Sequence, residues 1–177
     1  DYETQLQFIL NNNLLPKIGS EPLSWPMQKI FITQLFGKTA SSGRLYASGS
    51  HSGVDFGTPI GTPVYAMAEG TVVGVGDTDI ACKGASFGKW VFITYNNGLS
   101  TAFGHLSAIS AKAGQTVKAG DLVAVSGNTG HSTGPHLHVT VYASQGAEVR
   151  EVPSKSGKCP NMTMPIAPIN AYLDPMS

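Results

Sequence analysis

Four of the five histidines in this 177-residue chain lie in short motifs built from residue types that bind metal ions and transfer protons. His51 and Asp55 form an HxxxD pair inside GSHSGVDFG, where flanking glycines let the backbone bend so that both side chains converge on one point. A chain of this size can also contain such a pair by chance, as a surface histidine near an aspartate in a turn. The pair therefore indicates a metal site only when it is taken together with His105 in FGHLS and the two histidines of GPHLH.

The HLH element predicts a strand with two imidazoles on one face. Side chains alternate along a strand, so His136 and His138 face one side while Leu137, Val139 and Val141 face the other. The preceding segment SGNTGHSTGP is rich in Gly, Ser and Thr and would hold the strand entrance in a tight path, which argues against an exposed histidine pair. We expect this strand to separate a polar groove from the core.

The two remaining histidines carry weaker signals. His105 follows the run LSTAF, at or near a strand end, where an isolated histidine is more often an ordinary hydrogen-bonded residue than a catalyst. His131 lies inside the glycine-rich loop, and we interpret it as a residue of the groove rim without a ligand role.

The elements that must position these residues are short strands broken by glycine. From Ile30 onward the chain contains the runs PVYAM, GTVVGVG, KWVFITY, LVAVSG and HLHVTVYAS. Asn97-Gly98 lies between two of them and predicts a hairpin whose two turn residues tolerate positive φ. The sequence predicts a mainly β fold, with antiparallel sheets forming a sandwich-like domain that carries a groove.

Three regions are expected along the chain. Residues 1–30 are interpreted as an N-terminal arm, linker or pro-segment remnant with a short helical patch around Leu6–Leu14. Residues 31–150 form the domain. Residues 151–177 are expected to be an irregular tail packed on the domain. The segment 77–89, long for a strand connection, is the candidate for a groove wall.

Composition excludes several classes of protein. Only 12% of residues are charged, whereas 21 are glycine and 11 are proline, which favours short strands and turns over long helices. The formal net charge is zero and the basic residues are scattered, so nucleic acid is not an expected partner. No run of about 18 apolar residues exists, so we expect no transmembrane segment. Asp1 begins neither a charged nor an apolar leader, and a signal peptide or anchor, if encoded, is expected outside this chain.

The two cysteines, Cys82 and Cys159, lie among polar and turn-forming residues. In an oxidising compartment they would pair and tie a long loop to the C-terminal region, while two free thiols are the alternative. Neither has the CxxC spacing of zinc knuckles or thioredoxin-like sites.

Three motifs in order resemble those of the lysostaphin- and LytM-like M23 metallopeptidases. These enzymes combine HxxxD, a GHL-type histidine and a GxTGxSTGPHLH element. The chain has HSGVD at 51–55, GHL at 104–106 and GNTGHSTGPHLH at 127–138. The resemblance covers roughly residues 30–145.

The resemblance implies that His51, Asp55 and His138 bind one Zn²⁺ and that His105 and His136 serve catalysis. Two imidazoles and one carboxylate leave a fourth tetrahedral position for water, whose pKa zinc lowers toward about 7. The division of proton transfer and oxyanion stabilisation between His105 and His136 stays open. Tyr46 is a further candidate for oxyanion contact, with a packed surface tyrosine as the alternative.

The implied function is hydrolysis of peptide cross-links or bridges in bacterial peptidoglycan, in the periplasm or outside the cell. The expected partner is peptidoglycan peptide, and the chain is expected to be a monomer whose partner domains, if any, lie outside it. The bond cut, in a glycine bridge or a D-amino-acid cross-link, is open.

Three alternatives remain. One is a LytM-like activator of other wall hydrolases, although such regulators have lost ligands that are intact here. Another is a non-haem iron oxygenase, whose facial triad usually has one residue, not three, between the first histidine and the carboxylate. The third is a wall-binding module, which would need a separate binding domain of roughly 60 to 90 residues.

Overall fold

The computed structural model describes residues 23–38, 50–154 and 156–176. The helical patch predicted around Leu6–Leu14 and the candidate Tyr46 lie outside these residues. Within them no helix is long and apolar enough to cross a membrane.

The described residues form twelve β-strands and three single-turn 3₁₀ helices at Thr78–Ile80, Ser144–Gly146 and Ile169–Ala171. The strands are β1 Ile32–Gln34, β2 Val54–Gly57, β3 Pro63–Tyr65, β4 Gly70–Asp77, β5 Lys89–Tyr95, β6 Leu99–Ile109, β7 Thr116–Val117, β8 Leu122–Ser126, β9 His136–Ala143, β10 Glu148–Val152, β11 Met162–Ile166 and β12 Tyr172–Leu173.

Ten of these strands form one antiparallel sheet, which confirms the predicted fold class. Its order is β1-β2-β9-β6-β5-β4-β7, with β12 on β9 and with β8 pairing both β3 and the end of β6. The long strand β6 therefore contacts three neighbours and carries His105 into the middle of the sheet.

The alternation predicted for the HLH strand is confirmed. Leu137, Val139 and Val141 are buried in the main hydrophobic core on one face of the sheet. On the opposite face Tyr142 packs with Trp90 in a second, smaller cluster. The imidazoles share this second face with that cluster, so the core strands themselves position the polar site.

The C-terminal region is more regular than the sequence predicts. Strands β10 and β11 pair antiparallel as a separate two-stranded sheet, and β12 adds to β9. The run MTMPI gives a weak strand signal because it contains an internal proline. Packing compensates, since the Trp90 indole N–H donates a hydrogen bond to the Thr163 carbonyl at 3.2 Å and Val149 packs against the second cluster.

The hairpin at Asn97-Gly98 is confirmed, but its turn is longer than expected. Strand β5 ends at Tyr95, so Asn96 to Gly98 form a three-residue connection in which only Gly98 has positive φ, at 83°. The Asn97 side chain accepts a hydrogen bond from the Leu99 N–H at 3.1 Å.

The two cysteines form a disulfide, so the prediction of pairing is confirmed and the free-thiol alternative is wrong. Cys82 and Cys159 have Cα atoms 5.4 Å apart and are separated by 77 positions in sequence. The bond joins the segment between β4 and β5 to the connection between β10 and β11.

Candidate functional site

His51, Asp55 and His138 converge in a buried cluster. Strand register places Asp55 of β2 directly opposite His138 of β9 on the same sheet face. An isolated bridge to Gly37 holds His51 just before β2. The Asp55 Oδ1 lies 2.8 Å from His138 Nδ1 and 3.3 Å from His51 Nε2. One ligand atom from each residue lies within 4.8 Å of the others, the spacing needed to hold a metal ion.

Gly53 explains why the motif has a glycine between its histidine and its aspartate. A Cβ at this position would lie 2.2 Å from the Val139 carbonyl oxygen and 2.9 Å from His138 Nε2. A side chain here would force β2 away from β9 and separate Asp55 from His138.

In His51 and His138, the ring nitrogen that points away from the cluster has a hydrogen-bond partner outside it. The other ring nitrogen, called the inner nitrogen below, faces the cluster. His51 Nδ1–H donates to the Leu35 carbonyl at 3.0 Å, which leaves Nε2 to face the cluster. His138 Nε2 lies 2.7 Å from the Thr140 hydroxyl. The inner nitrogens lie 3.2 Å apart and both face a carboxylate oxygen. A cation between them would be bound by both imidazoles and the carboxylate, so the residues fit a metal ion.

Electrostatics keep these groups in their metal-binding forms. Burial acts to raise the pKa of the Asp55 carboxyl, but hydrogen bonds and charge interactions with His138 and His51 outweigh it and hold that pKa well below its usual range. Burial lowers the pKa of His138. An ionised carboxylate beside a neutral imidazole is the pairing that a divalent cation requires.

His105 and His136 stand beside this cluster. Their ring centroids are 4.7 Å apart, and His136 Nε2 lies 3.5 Å from Asp55 Oδ1. His136 Nδ1–H donates to the Gly134 carbonyl and His105 Nδ1–H donates to the Thr129 carbonyl, each at 2.7 Å. In the tautomer that these bonds select, Nε2 of each ring can act as a proton acceptor.

His105 has a backbone conformation that non-glycine residues seldom adopt. Its φ is 59°, in the left-handed region, and its N–H donates to the Phe87 carbonyl at 2.6 Å. It lies where the pairing of β5 with β6 shifts register. Local strain of this kind is concentrated at functional sites. Burial, with smaller contributions from His138 and His136, lowers the pKa of His105 to about 3.

All five residues singled out from the sequence thus meet at one place, whereas His131 is exposed on the loop before β9. The supporting groups were not predicted. Thr140 could have been found, because it lies two residues after His138 on the same face of the strand. The carbonyls of Leu35 and Thr129 could not, since a backbone carbonyl has no sequence signature.

An open cavity of about 260 Å³ adjoins the cluster and gives the predicted groove. It is lined by Thr33 and Gln34 of β1, by Asp55, and by residues 133–136. The predicted wall segment 77–89 packs against the glycine-rich loop nearby, where the His131 N–H donates to the Ser86 carbonyl at 2.8 Å. Its control of specificity stays a prediction.

Comparisons with known proteins match this chain to one family and to solved structures. The sequence profile described as Peptidase family M23 matches residues 49–151. The peptidoglycan DD-endopeptidase ShyA of Vibrio cholerae is 46% identical over 88 residues, which are 50% of this chain and 19% of that protein. The glycyl-glycine endopeptidase ALE-1 of Staphylococcus capitis is 41% identical over 91 residues, which are 51% of this chain and 24% of that protein.

The solved catalytic domain of lysostaphin from Staphylococcus simulans has 30% identity and a TM-score of 0.59, covering 83% of this chain and 90% of that domain. By contrast, the matched region is about a fifth of the length of the two curated relatives.

Proposed function

The chain belongs to peptidase family M23, and from that premise we propose that it is a zinc-dependent endopeptidase acting on the peptide cross-links or bridges of bacterial peptidoglycan. The observation that carries the proposal is the convergence of His51, Asp55 and His138 in a buried site whose inner nitrogens face one carboxylate oxygen. Family membership implies a metal, and the choice of zinc rests on the ligand set of two imidazoles and one carboxylate.

His51, Asp55 and His138 would hold the ion, and the other two histidines would handle protons. Bound zinc supplies a Lewis acid that activates water and polarises the scissile carbonyl at neutral pH. His105 and His136 each have Nδ1–H tied to a backbone carbonyl, so each can accept a proton at Nε2 and later return it to the leaving amine. After protonation the same atoms can donate a hydrogen bond to a developing oxyanion.

The substrate class rests on the relatives. One is named a peptidoglycan DD-endopeptidase and another a glycyl-glycine endopeptidase, so both names give cleavage of an internal peptide bond, and the first gives peptidoglycan as the substrate. We therefore propose peptidoglycan peptide as the partner and a location outside the cytoplasm, in the periplasm or beyond. A disulfide fits an oxidising compartment of this kind.

The proposal is tested by incubating the chain with purified peptidoglycan of two chemotypes, one with glycine bridges and one with direct D-amino-acid cross-links. We expect mass spectrometry to detect new peptide ends from one of them, lost after chelation and restored by zinc. His131→Ala, which alters an exposed histidine, serves as the matched control and should retain activity. If the zinc-loaded chain releases nothing from either wall, the proposed function is wrong, and bound iron together with oxygen uptake that depends on an oxo-acid would favour the oxygenase class.

A further inference from the structure

One peptide group, between Thr129 and Gly130, is hydrogen-bonded at both ends. Its carbonyl accepts the His105 Nδ1–H at 2.7 Å, and its N–H donates to Asp79 Oδ2 at 3.0 Å. Asp79, in the 3₁₀ turn after β4, is thereby linked to His105 through a single peptide. Neither the three motifs nor the metal ligands include Asp79.

We propose that Asp79 is a positioning residue that acts on His105 through this peptide group. The proposal rests on the proposed function, in which His105 accepts a proton at Nε2. A carboxylate that accepts a hydrogen bond from the peptide N–H polarises the amide, so the carbonyl of that amide becomes a better acceptor. Hydrogen bonds in such a chain strengthen one another by roughly 10–30% per bond. The better acceptor holds the proton on His105 Nδ1 and fixes the ring plane. Nε2 is left as the lone-pair nitrogen.

The orientation of this peptide is fixed by its surroundings. Gly130 has φ of 71°, and a Cβ there would lie 2.3 Å from the Gly88 nitrogen, so the two backbones are in direct contact. The Thr129 hydroxyl donates to the Leu106 carbonyl at 2.7 Å and accepts the Lys89 N–H at 3.1 Å. The peptide therefore cannot turn its carbonyl away from His105 without breaking several contacts.

Asp79 is itself held in place. Its second carboxylate oxygen accepts the Gly84 N–H at 2.7 Å, and its own N–H donates to Asp77 Oδ1 at 3.0 Å. Cys82 of the same loop is anchored by the disulfide to Cys159. Both oxygens of the Asp79 carboxylate accept hydrogen bonds, and its loop is held by the disulfide. A carboxylate fixed in this way can in turn fix the position of the glycine-rich loop that it contacts.

The matched pair of variants is Asp79→Asn and Asp77→Asn. Each removes one negative charge from the same segment, and the Asp77→Asn side chain keeps an amide oxygen that can accept the Asp79 N–H. Asp77 pairs with Lys89 at 3.3 Å and is not bonded to the 129–130 peptide in the described contacts. The Asp79→Asn side chain retains one acceptor oxygen but must present an amide N–H₂ to one of its two former donors.

For the zinc-loaded chain carrying Asp79→Asn we expect kcat to fall about tenfold, with KM, bound zinc and Tm close to those of Asp77→Asn. Nitrogen-15 NMR of the imidazoles provides a readout without turnover. In the wild type the His105 Nδ1 proton should be observed in slow exchange with water, and Asp79→Asn should speed that exchange and move its resonance upfield.

Each failure has a distinct signature. If the wild type cleaves no peptidoglycan, the proposed function is wrong, and the NMR comparison still tests the link between Asp79 and His105. If the wild type is active but Asp79→Asn matches Asp77→Asn in kcat and in the His105 resonance, the positioning role is wrong. Should Asp79→Asn prevent folding, a wild-type His105 without a slowly exchanging Nδ1 proton overturns the proposal without any variant.

Discussion

At the scale of single residues, the five clustered histidine and aspartate side chains fall into two groups, according to whether a possible ligand atom points to one common position. His51, Asp55 and His138 each direct one atom to this position, whereas His136 stands beside it, with its Nε2 3.5 Å from Asp55 Oδ1. Ligand and proton-transfer roles should therefore be separable by substitution.

Asp55→Ala or His138→Ala should remove bound zinc and activity together, because each would delete one of the three proposed protein ligands. His136→Ala should abolish activity, by about a hundredfold or more, while one zinc per chain is retained. Elemental analysis after dialysis, combined with a peptide-release assay, measures both. Full activity in the His136 variant would contradict the division of roles, and His131→Ala supplies the control for loss of an imidazole.

The Thr140 hydroxyl lies outside the proposed ligand set and is expected to strengthen zinc binding by holding the His138 ring in place. Thr140→Val removes the 2.7 Å partner of His138 Nε2, freeing the ring to rotate, and should weaken zinc binding about tenfold. Thr101→Val is the matched control, since this equally buried threonine of β6 bonds to the Tyr95 hydroxyl at 2.8 Å instead. Competition with a chelator of known affinity gives both dissociation constants, and equal values for the two variants would count against the role of Thr140.

At the scale of elements, the sequence predicts which residues form strands far better than it predicts which strands pair. The alternation in HLHVTVY assigns His138 to one face and Val139 to the core, because a period of two is a local property. The register that sets Asp55 against His138 depends on how two distant strands pack, so motif order alone could only suggest it. The β10–β11 pair was not predicted because MTMPI contains an internal proline and because its contact with Trp90 joins residues far apart in sequence.

The disulfide between Cys82 and Cys159 links the segment between β4 and β5 to the connection between β10 and β11. Replacing both cysteines by serine should lower the free energy of unfolding by about 2–4 kcal/mol, because a cross-link over 77 positions restricts the unfolded chain. Urea unfolding followed by tryptophan fluorescence measures the change. The wild type in excess reductant should unfold at the same urea concentration as the variant. An unchanged midpoint in both cases would show that the loop is held without the bond.

At the scale of the whole molecule, the proposed metal site and the main core occupy opposite faces of the same strands. Strand β9 presents His138 to the site and Leu137 and Val139 to a core of about twenty buried side chains on the other face. The core does not depend on the site for its burial. Most small zinc domains lack a core of this kind and unfold when the metal is removed.

Chelation should therefore lower stability without unfolding the chain. A ligand that binds only the folded state stabilises it by about 2.7 kcal/mol when its free concentration is 100 times Kd, so Tm should rise with added zinc and fall reversibly with chelator. The metal-free chain should still unfold cooperatively and keep the circular dichroism of a β protein, because the core beneath β2 and β9 remains packed. His138→Ala is the control, and its Tm should be insensitive to zinc. Loss of cooperative unfolding in the metal-free wild type would mean that the metal organises the sheet, whereas a zinc-dependent Tm in the variant would place the ion elsewhere.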